Sequence, residues 1–262
     1  MKQQIRAIQA ELIKIKHSKI TWATFVAFGI APIMGAVFTL ILQDSEASEK
    51  ASGLAAKANA MNFQANWKSY IDILTQAVGV GGVLVFGFVA SWIFGREYSD
   101  GTAKDLLALP TSRTKILNAK FVLYVLWCLM LVFSNLLIAL LLGTILQLPT
   151  ISIDLLPQLL TNYFITTILT IIVGAPIAFF ALYGKGYLAP LGFVALTLVF
   201  SQVIAATGYG TYFPWSVPGL YSGAGGEYKD LLDNVSYTIL ILTGIAGYFA
   251  TTIYWKVADQ TK

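Results

Sequence analysis

Charged residues are scarce in this sequence. Asp, Glu, Lys and Arg make up 11% of its 262 residues, whereas hydrophobic residues make up 57%. Soluble domains carry about 25% charged residues, so the composition excludes an ordinary soluble globule. It predicts an integral membrane protein, and the net charge of +4 does not indicate a nucleic-acid partner.

Groups that carry chemistry are also missing. The single cysteine, Cys128, cannot form an intramolecular disulfide. The long apolar runs contain no Asp, Glu, Lys, Arg or His, which argues against a proton-coupled carrier, an ion pump acting alone and an intramembrane hydrolase. The sequence has no Gly-x-x-x-x-Gly-Lys-Ser/Thr loop, so we expect this chain to bind no ATP, and we expect no metal or cofactor in it.

Long apolar runs are the dominant feature that is present. A membrane-spanning helix needs about 20 apolar residues at 1.5 Å rise each. The sequence therefore predicts an all-α integral membrane protein, with one transmembrane domain over residues 1–262. Its six spans are 20–42, 73–94, 121–146, 159–183, 187–207 and 235–255.

The basic residues set the expected orientation. Of the 17 Lys and Arg residues, 13 fall on the side of the membrane that holds both termini. Because cytoplasmic loops carry an excess of Lys and Arg, both termini are predicted to be cytoplasmic. A cleaved signal peptide is a less favoured alternative for the first run, which is longer than the 7–15 residues of a typical signal core.

The segment 1–19 has an amphipathic pattern. Ile5, Ile8, Leu12 and Ile15 recur at helical spacing among basic residues. This pattern predicts a helix on the cytoplasmic leaflet, in contact with membrane lipids. A solvated basic flank is the alternative.

The segment 208–234 is rich in aromatic residues, and its first part, 208–226, has no charge. An uncharged aromatic segment between two spans predicts short re-entrant helices in the outer interface, packed against protein. Residues 208–210 also spell Gly-Tyr-Gly, as in potassium filters, but a filter normally follows a separate pore helix, so an ion channel is the least favoured function.

The cytoplasmic segment 95–120 is predicted to hold a short capped helix. Asp100-Gly101 forms a turn, Thr102 can begin the helix and Pro110 ends it. We expect its leucines, 106, 107 and 109, to lack an intramolecular partner and to dock on another protein. The alternative is an ordinary polar connector.

The residues in and around this short helix also follow a more specific pattern, one that resembles the signature of a known family. Glu97 near Gly101-Thr102, two leucines, Leu109-Pro110-x-Ser112-Arg113 and then Lys120 resemble the signature of type-2 ABC transporter permeases, most of all bacterial bacitracin and lantibiotic export and immunity permeases. The resemblance implies a dimer of identical or sister permeases in the bacterial plasma membrane, with separate ATPase subunits that bind ATP and Mg. The hypothetical ATPase contact region comprises Arg96, Glu97, Gly101, Thr102, Leu106, Leu107, Pro110 and Arg113.

A substrate path is indicated only by polar and aromatic residues in or beside the spans. Such a lining suits an amphipathic or lipid-like substrate, although polar residues also form interhelical hydrogen bonds. The favoured function is export of an antimicrobial peptide or lipid-like molecule, and the alternative is a non-transport immunity or assembly protein. The candidate path residues are Asn135, Asn162, Thr166, Gln202, Tyr212 and Trp215.

Overall fold

The computed structural model describes residues 2–16, 18–44, 50–107, 111–149, 151 and 154–257. Over these residues the chain is helical and contains no strand, which confirms the all-α prediction. The α-helices are α1 Lys2–Lys16, α2 Lys19–Gln43, α3 Ser52–Ala60, α4 Trp67–Gln76, α5 Gly82–Ser99, α6 Ala103–Leu107, α7 Arg113–Ile145, α8 Leu155–Tyr183, α9 Leu188–Ala206, α10 Val217–Tyr221 and α11 Asn234–Val257. A π-helical turn, Ala77–Gly81, joins α4 to α5 without a break.

Six helices are long and apolar enough to cross a membrane. They are α2, the continuous helix α4–α5, α7, α8, α9 and α11. The second and third each have 33 residues, about 50 Å of helix against a hydrocarbon core of about 30 Å. They are longer than the predicted spans because their polar ends stay helical: Asn66 caps α4 by accepting the Ser69 N–H at 2.9 Å.

Helix α8 lies at the centre of the bundle and packs against α5, α9 and α11. Small residues allow the close approach of α11. A Cβ atom on Gly247 would lie 2.6 Å from the Cα of Pro176, and one on Gly244 would lie 2.4 Å from Cγ2 of Ile172. This is the small-residue packing typical of membrane helices.

The bundle has two distinct ends. The terminal end holds α1, α6, the turn between α8 and α9, and the last residues of α11. The distal end holds α3 and the segment 208–233, which contains two 3₁₀ turns, Gly210–Tyr212 and Gly226–Leu231, on either side of α10. Short helices are therefore present where the sequence predicted them, and their re-entrant depth in a membrane stays a prediction.

Helix α1 packs along the first turns of α7. The Gln4 side chain donates to the Lys115 carbonyl oxygen at 3.2 Å, and Ile15 is buried in the core. Ile5 and Leu12 remain exposed. The apolar residues of α1 therefore fall into two groups: Ile15 packs against the protein, whereas Ile5 and Leu12 lie on the surface.

Candidate functional site

Five charged residues meet at the terminal end and form what we call the ionic cluster: Glu11 and Lys14 of α1, Arg96 and Glu97 of α5, and Lys120 of α7. Lys120 Nζ lies 2.8 Å from each carboxylate oxygen of Glu97. Lys14 Nζ lies 3.1 Å from Glu97 Oε1 and 2.7 Å from Glu11 Oε1. The cluster therefore joins three helices that are distant in sequence.

The centre of the cluster is buried. Glu97 is 3% exposed, Lys120 1% and Glu11 4%. Lys120 also donates to the Ile93 carbonyl oxygen at 2.8 Å, and Ile93 and Glu97 lie one turn apart, so both face the same lysine. Buried ions need partners of this kind, because loss of one partner leaves an uncompensated charge at a cost of about 3–5 kcal/mol.

The turn after Glu97 is fixed by backbone hydrogen bonds. The Thr102 N–H donates to the Glu97 carbonyl oxygen at 2.8 Å, and the Gly101 N–H donates to the Tyr98 carbonyl oxygen at 3.2 Å. Gly101 has a φ of +71°, which glycine adopts without strain. This is a Schellman helix end, and it sets the direction in which the chain leaves α5 toward α6.

An open cleft lies in front of the cluster. Its volume is about 520 Å³, and its lining residues come from three sources: Lys14 of α1, Arg96 and Glu97 of α5, and Asp100, Thr102, Asp105 and Leu106 around α6. A second cavity of about 190 Å³ lies on the other side of Leu106, against α1. The cleft combines charged and polar side chains with the apolar side chain of Leu106, so it can accept a protein segment that carries both kinds of side chain.

The position of Leu106 contradicts one expectation from the sequence. Its side chain is half-buried and packs against the core, so the expectation that it lacks an intramolecular partner is wrong. The reason is that α6 folds back onto the bundle. The side chain of Leu107 and residues 108–110, including Leu109 and Pro110, lie outside what the structure describes.

The two arginines of the predicted contact region lie apart. The Arg96 guanidinium stacks 4.6 Å from the centre of the Trp92 ring and pairs with Glu97 at 3.5 Å. Arg113 instead donates to the carbonyl oxygens of Trp255 and Lys256, both at 3.5 Å, at the end of α11. The structure thus brings Arg96, Glu97, Thr102 and Leu106 to one cleft and places Arg113 against α11.

Sequence reasoning missed Glu11 and Lys14. Both belong to α1, and the signal that could have revealed them is a single acidic residue in an otherwise basic amphipathic helix, three residues before a lysine. The sequence could not show that this pair reaches Glu97, because the contact spans 83 positions.

At the distal end, α10 packs directly on the π-helical turn. A Cβ atom on Gly79 would lie 2.6 Å from the Pro218 carbonyl oxygen and 2.8 Å from Ser222. The backbone of the segment 208–233 therefore touches the backbone of a spanning helix, which only glycine permits. π-Helical turns occur often at functional sites.

A small cavity of about 50 Å³ separates α9 from this segment, and both Gln202 and Trp215 line it. The Trp215 Nε1–H is buried and has no hydrogen-bond partner among the described residues. A cavity of this size holds a few waters and no larger ligand. Tyr212 is 56% exposed and lies outside the cavity lining.

The other predicted path residues lie elsewhere. Asn135 is buried and donates to the Phe28 carbonyl oxygen at 3.0 Å, between α7 and α2. Asn162 accepts the Tyr221 hydroxyl at 3.4 Å, and the Thr166 hydroxyl donates to the Asn162 carbonyl oxygen at 2.8 Å. The six residues therefore form no single lining, and the path itself stays a prediction.

The Gly-Tyr-Gly sequence forms a turn at the end of α9. The carbonyl oxygens of Tyr209 and Gly210 accept hydrogen bonds from the Tyr212 and Phe213 N–H groups. An ion filter needs such carbonyls free and aligned, so this geometry disfavours a channel. In the part of the chain that the structure describes, no three His, Cys, Asp or Glu side chains gather as a metal site would require.

Comparison with known proteins gives an independent result. Residues 7–203 match the model of a family described as ABC-2 family transporter protein. The chain is also 30% identical over 178 residues to the bacitracin transport permease protein BCRB of Bacillus licheniformis, an alignment that covers 68% of this chain and 85% of the relative. No solved structure matches it. With six spanning helices and these two matches, the chain belongs to the ABC-2 family of transporters and is a multi-pass membrane permease subunit of an ABC exporter.

Proposed function

We propose that this permease exports an amphipathic peptide antibiotic or a related lipid-like molecule, driven by separate ATPase subunits that dock at the terminal end. Members of the family work with ABC ATPase subunits. The bacitracin transport activity named for the Bacillus relative supports the substrate class. The terminal end then faces the cytoplasm, in agreement with its excess of Lys and Arg.

One observation carries the mechanism: the ionic cluster lies directly behind the open cleft. A partner segment that binds in the cleft touches Arg96 and the surface of α6, while Glu97 lies behind them and holds α1, α5 and α7 together. Movement of the partner would then be transmitted to two spanning helices and to α1 as a unit. ATP and Mg are bound by the partner in this scheme, and this chain supplies the mechanical connection.

Glu97 was predicted to contact the ATPase, but its burial leads us to assign it another role. Because Glu97 is almost inaccessible, we assign it to the connection between helices and assign direct contact to Arg96, Thr102 and the exposed face of α6. Arg113 supports the base of α7 through α11. Two copies of the permease, identical or sister chains, are proposed to enclose the path.

Site-directed crosslinking tests the docking site. Cys128 is buried and is the only cysteine, so a Cys128→Ser background accepts one new cysteine at a time. Thr102→Cys and Lys104→Cys, both exposed, should crosslink to a spanless ABC ATPase encoded beside the gene. Gly53→Cys, exposed at the distal end, is the matched control.

The same variants test orientation. A membrane-impermeant maleimide added outside intact cells should label Gly53→Cys and leave Lys104→Cys unlabelled. Labelling of Lys104→Cys from outside would reverse the topology. Absence of any crosslink to the ATPase, together with full protection of cells against the antibiotic, would instead favour the non-transport immunity role.

A further inference from the structure

The side of the bundle between α7, α8 and α11 carries an apolar groove that none of the preceding functions uses. Its volume is about 310 Å³. Helix α11 packs closely on α8 through Gly244 and Gly247, but it leaves a gap toward α7. The walls are hydrocarbon side chains and aromatic rings: Phe121, Val125, Ile172, Ala175, Ile241, Ile245 and Phe249.

The polar groups at this groove are already occupied. The Tyr124 hydroxyl donates to the Ile171 carbonyl oxygen at 3.1 Å, and the Tyr248 hydroxyl donates to the Asn118 Oδ1 at 2.9 Å. The two hydroxyl groups therefore have no free proton to donate to an occupant. An occupant must present a flexible apolar chain, since the groove faces the hydrocarbon region of the membrane.

Two cations, Lys256 and Arg113, lie beyond the lining of this groove, toward the terminal end of the bundle. Lys256 is seven residues after Phe249 and eleven after Ile245, so the three residues share one face of α11. Arg113 lies beside the same turn of α11, because its Nη1 is 3.5 Å from the Lys256 backbone carbonyl oxygen. Within the described residues, neither side chain has a carboxylate within ion-pair distance.

The spacing matches one leaflet of a bilayer. Eleven residues of helix place Lys256 about 16 Å below Ile245, and one leaflet contributes about 15 Å of hydrocarbon. A phosphate at Lys256 and Arg113 would thus carry an acyl chain along Phe249 and Ile245. Basic sites at helix ends bind anionic headgroups in this way.

We propose that this groove binds one anionic phospholipid, with its headgroup on Lys256 and Arg113 and one acyl chain between α7 and α11. The lipid fills the gap that α11 leaves by packing on α8. This site does not depend on the transport function or on which side of the membrane the termini face.

Native mass spectrometry of the full-length chain tests the site, with phosphatidylglycerol and phosphatidylcholine of identical acyl chains as probes. We expect tighter binding of phosphatidylglycerol. Lys256→Gln should weaken it about five-fold, the effect of one cation near a headgroup, and leave phosphatidylcholine binding unchanged. Lys256→Arg should retain the preference. Ala175→Trp, which fills the groove, should weaken both lipids.

The control is Lys19→Gln, which removes an exposed lysine at the start of α2 and should change neither affinity. Circular dichroism melting verifies that each variant is folded. Equal affinity of the unmodified chain for both lipids would overturn the proposal. An equal loss in Lys19→Gln and Lys256→Gln would overturn it as well, since the lipid would then respond to charge anywhere on the surface.

Discussion

The two ends of this bundle are held together by different forces. At the terminal end, buried charges join α1, α5 and α7 through short ion pairs around Glu97 and Lys120. At the distal end, an uncharged α10 is held by contact with Gly79, beside a small cavity and a Trp215 N–H that has no partner among the described residues. In the described part of the chain, the buried charges at the terminal end are paired, whereas the distal end has an unfilled space.

The difference fits the proposed mechanism, in which an ATPase docks at the terminal end and the substrate leaves at the distal end. Ion pairs with several hydrogen bonds resist separation, so the terminal end can transmit a force from an ATPase. Packing contacts around a cavity have fewer directional constraints, so the distal end can rearrange when a substrate leaves. The comparison predicts that substitutions at the terminal end abolish coupling, whereas those at the distal end alter release.

The largest effect is expected for Glu97→Lys. This change places a fourth cation among Lys14, Arg96 and Lys120, and it should destabilise the chain by about 3–5 kcal/mol and abolish substrate-stimulated ATPase activity of the reconstituted complex. Thermal melting and phosphate release measure the two effects.

Asp72→Lys provides the matched control for that prediction. Asp72 pairs with Lys68 on the surface at 2.9 Å, and an exposed pair contributes about 0–1 kcal/mol. The double variant Glu97→Lys with Lys120→Glu should recover part of the activity. Wild-type melting and export in Glu97→Lys would refute the structural role of the ionic cluster.

The next largest effect is expected for Gly79→Ala. The added Cβ would lie 2.6 Å from the Pro218 carbonyl oxygen, so α10 must shift, at a cost of about 1–3 kcal/mol. Gly81→Ala is the control, because nothing lies within 4 Å of its added Cβ. Thermal melting should separate the two variants, and equal melting temperatures would contradict the close contact.

A smaller effect distinguishes two tryptophans: Trp255 is buried, whereas Trp215 is half-buried with its Nε1 atom enclosed. Trp215→Phe removes an N–H that has no hydrogen-bond partner among the described residues, so stability should stay the same or rise by up to about 1 kcal/mol. Trp255→Phe removes an N–H that donates to the Arg113 carbonyl oxygen at 3.2 Å and should lose about 1 kcal/mol. Denaturant titration measures both, and a larger loss in Trp215→Phe would show that its N–H has a partner.

The smallest effect is expected at the start of α11. The Ser236 backbone N–H and hydroxyl donate to Asp233, and these bonds lower the pKa of its carboxyl below the usual value. Because the folded-state pKa is lowered, this stabilisation is present above the unfolded pKa of about 3.9 and is lost as pH falls through the folded value.

Asp233→Ala should therefore lower the melting temperature slightly at pH 7, and the difference from the unmodified chain should be smaller at pH 3, below the unfolded pKa of about 3.9. Asp230→Ala, at an exposed neighbouring acid, should melt like the unmodified chain at both pH values. A difference for Asp233→Ala that is as large at pH 3 as at pH 7 would contradict the charged cap as its cause.

Much of the terminal end could be predicted, but not its internal contacts. Turn residues indicated the turn at Gly101, because a turn has a local cause, and the resemblance to type-2 ABC permeases indicated Glu97 and Lys120. It could not indicate that Glu97 faces inward, since that depends on α1 reaching the cleft across 83 positions. Leu106 was expected to lack an intramolecular partner because the sequence could not show that α6 folds back onto the bundle.

At the distal end, prediction reached the composition of the segment 208–234 but not its packing. In the second span, an added Cβ would meet neighbouring atoms at Gly79 and Gly82 and none at Gly81, a difference that the sequence of three glycines does not show. The candidate path residues were chosen by their polar or aromatic character alone. Polarity does not distinguish Gln202 from Asn135. Gln202 lines a cavity, whereas the Asn135 side chain donates a hydrogen bond to a carbonyl oxygen of another helix.

The sequence alone determined the class, the six spans and the basic bias of one side, because the exclusion of charge from hydrocarbon acts on each segment separately. The tertiary structure alone decided which charges pair, where α10 meets Gly79 and where a groove remains beside α11. These features depend on contacts between residues far apart in the chain, and no local pattern encodes the distances between them.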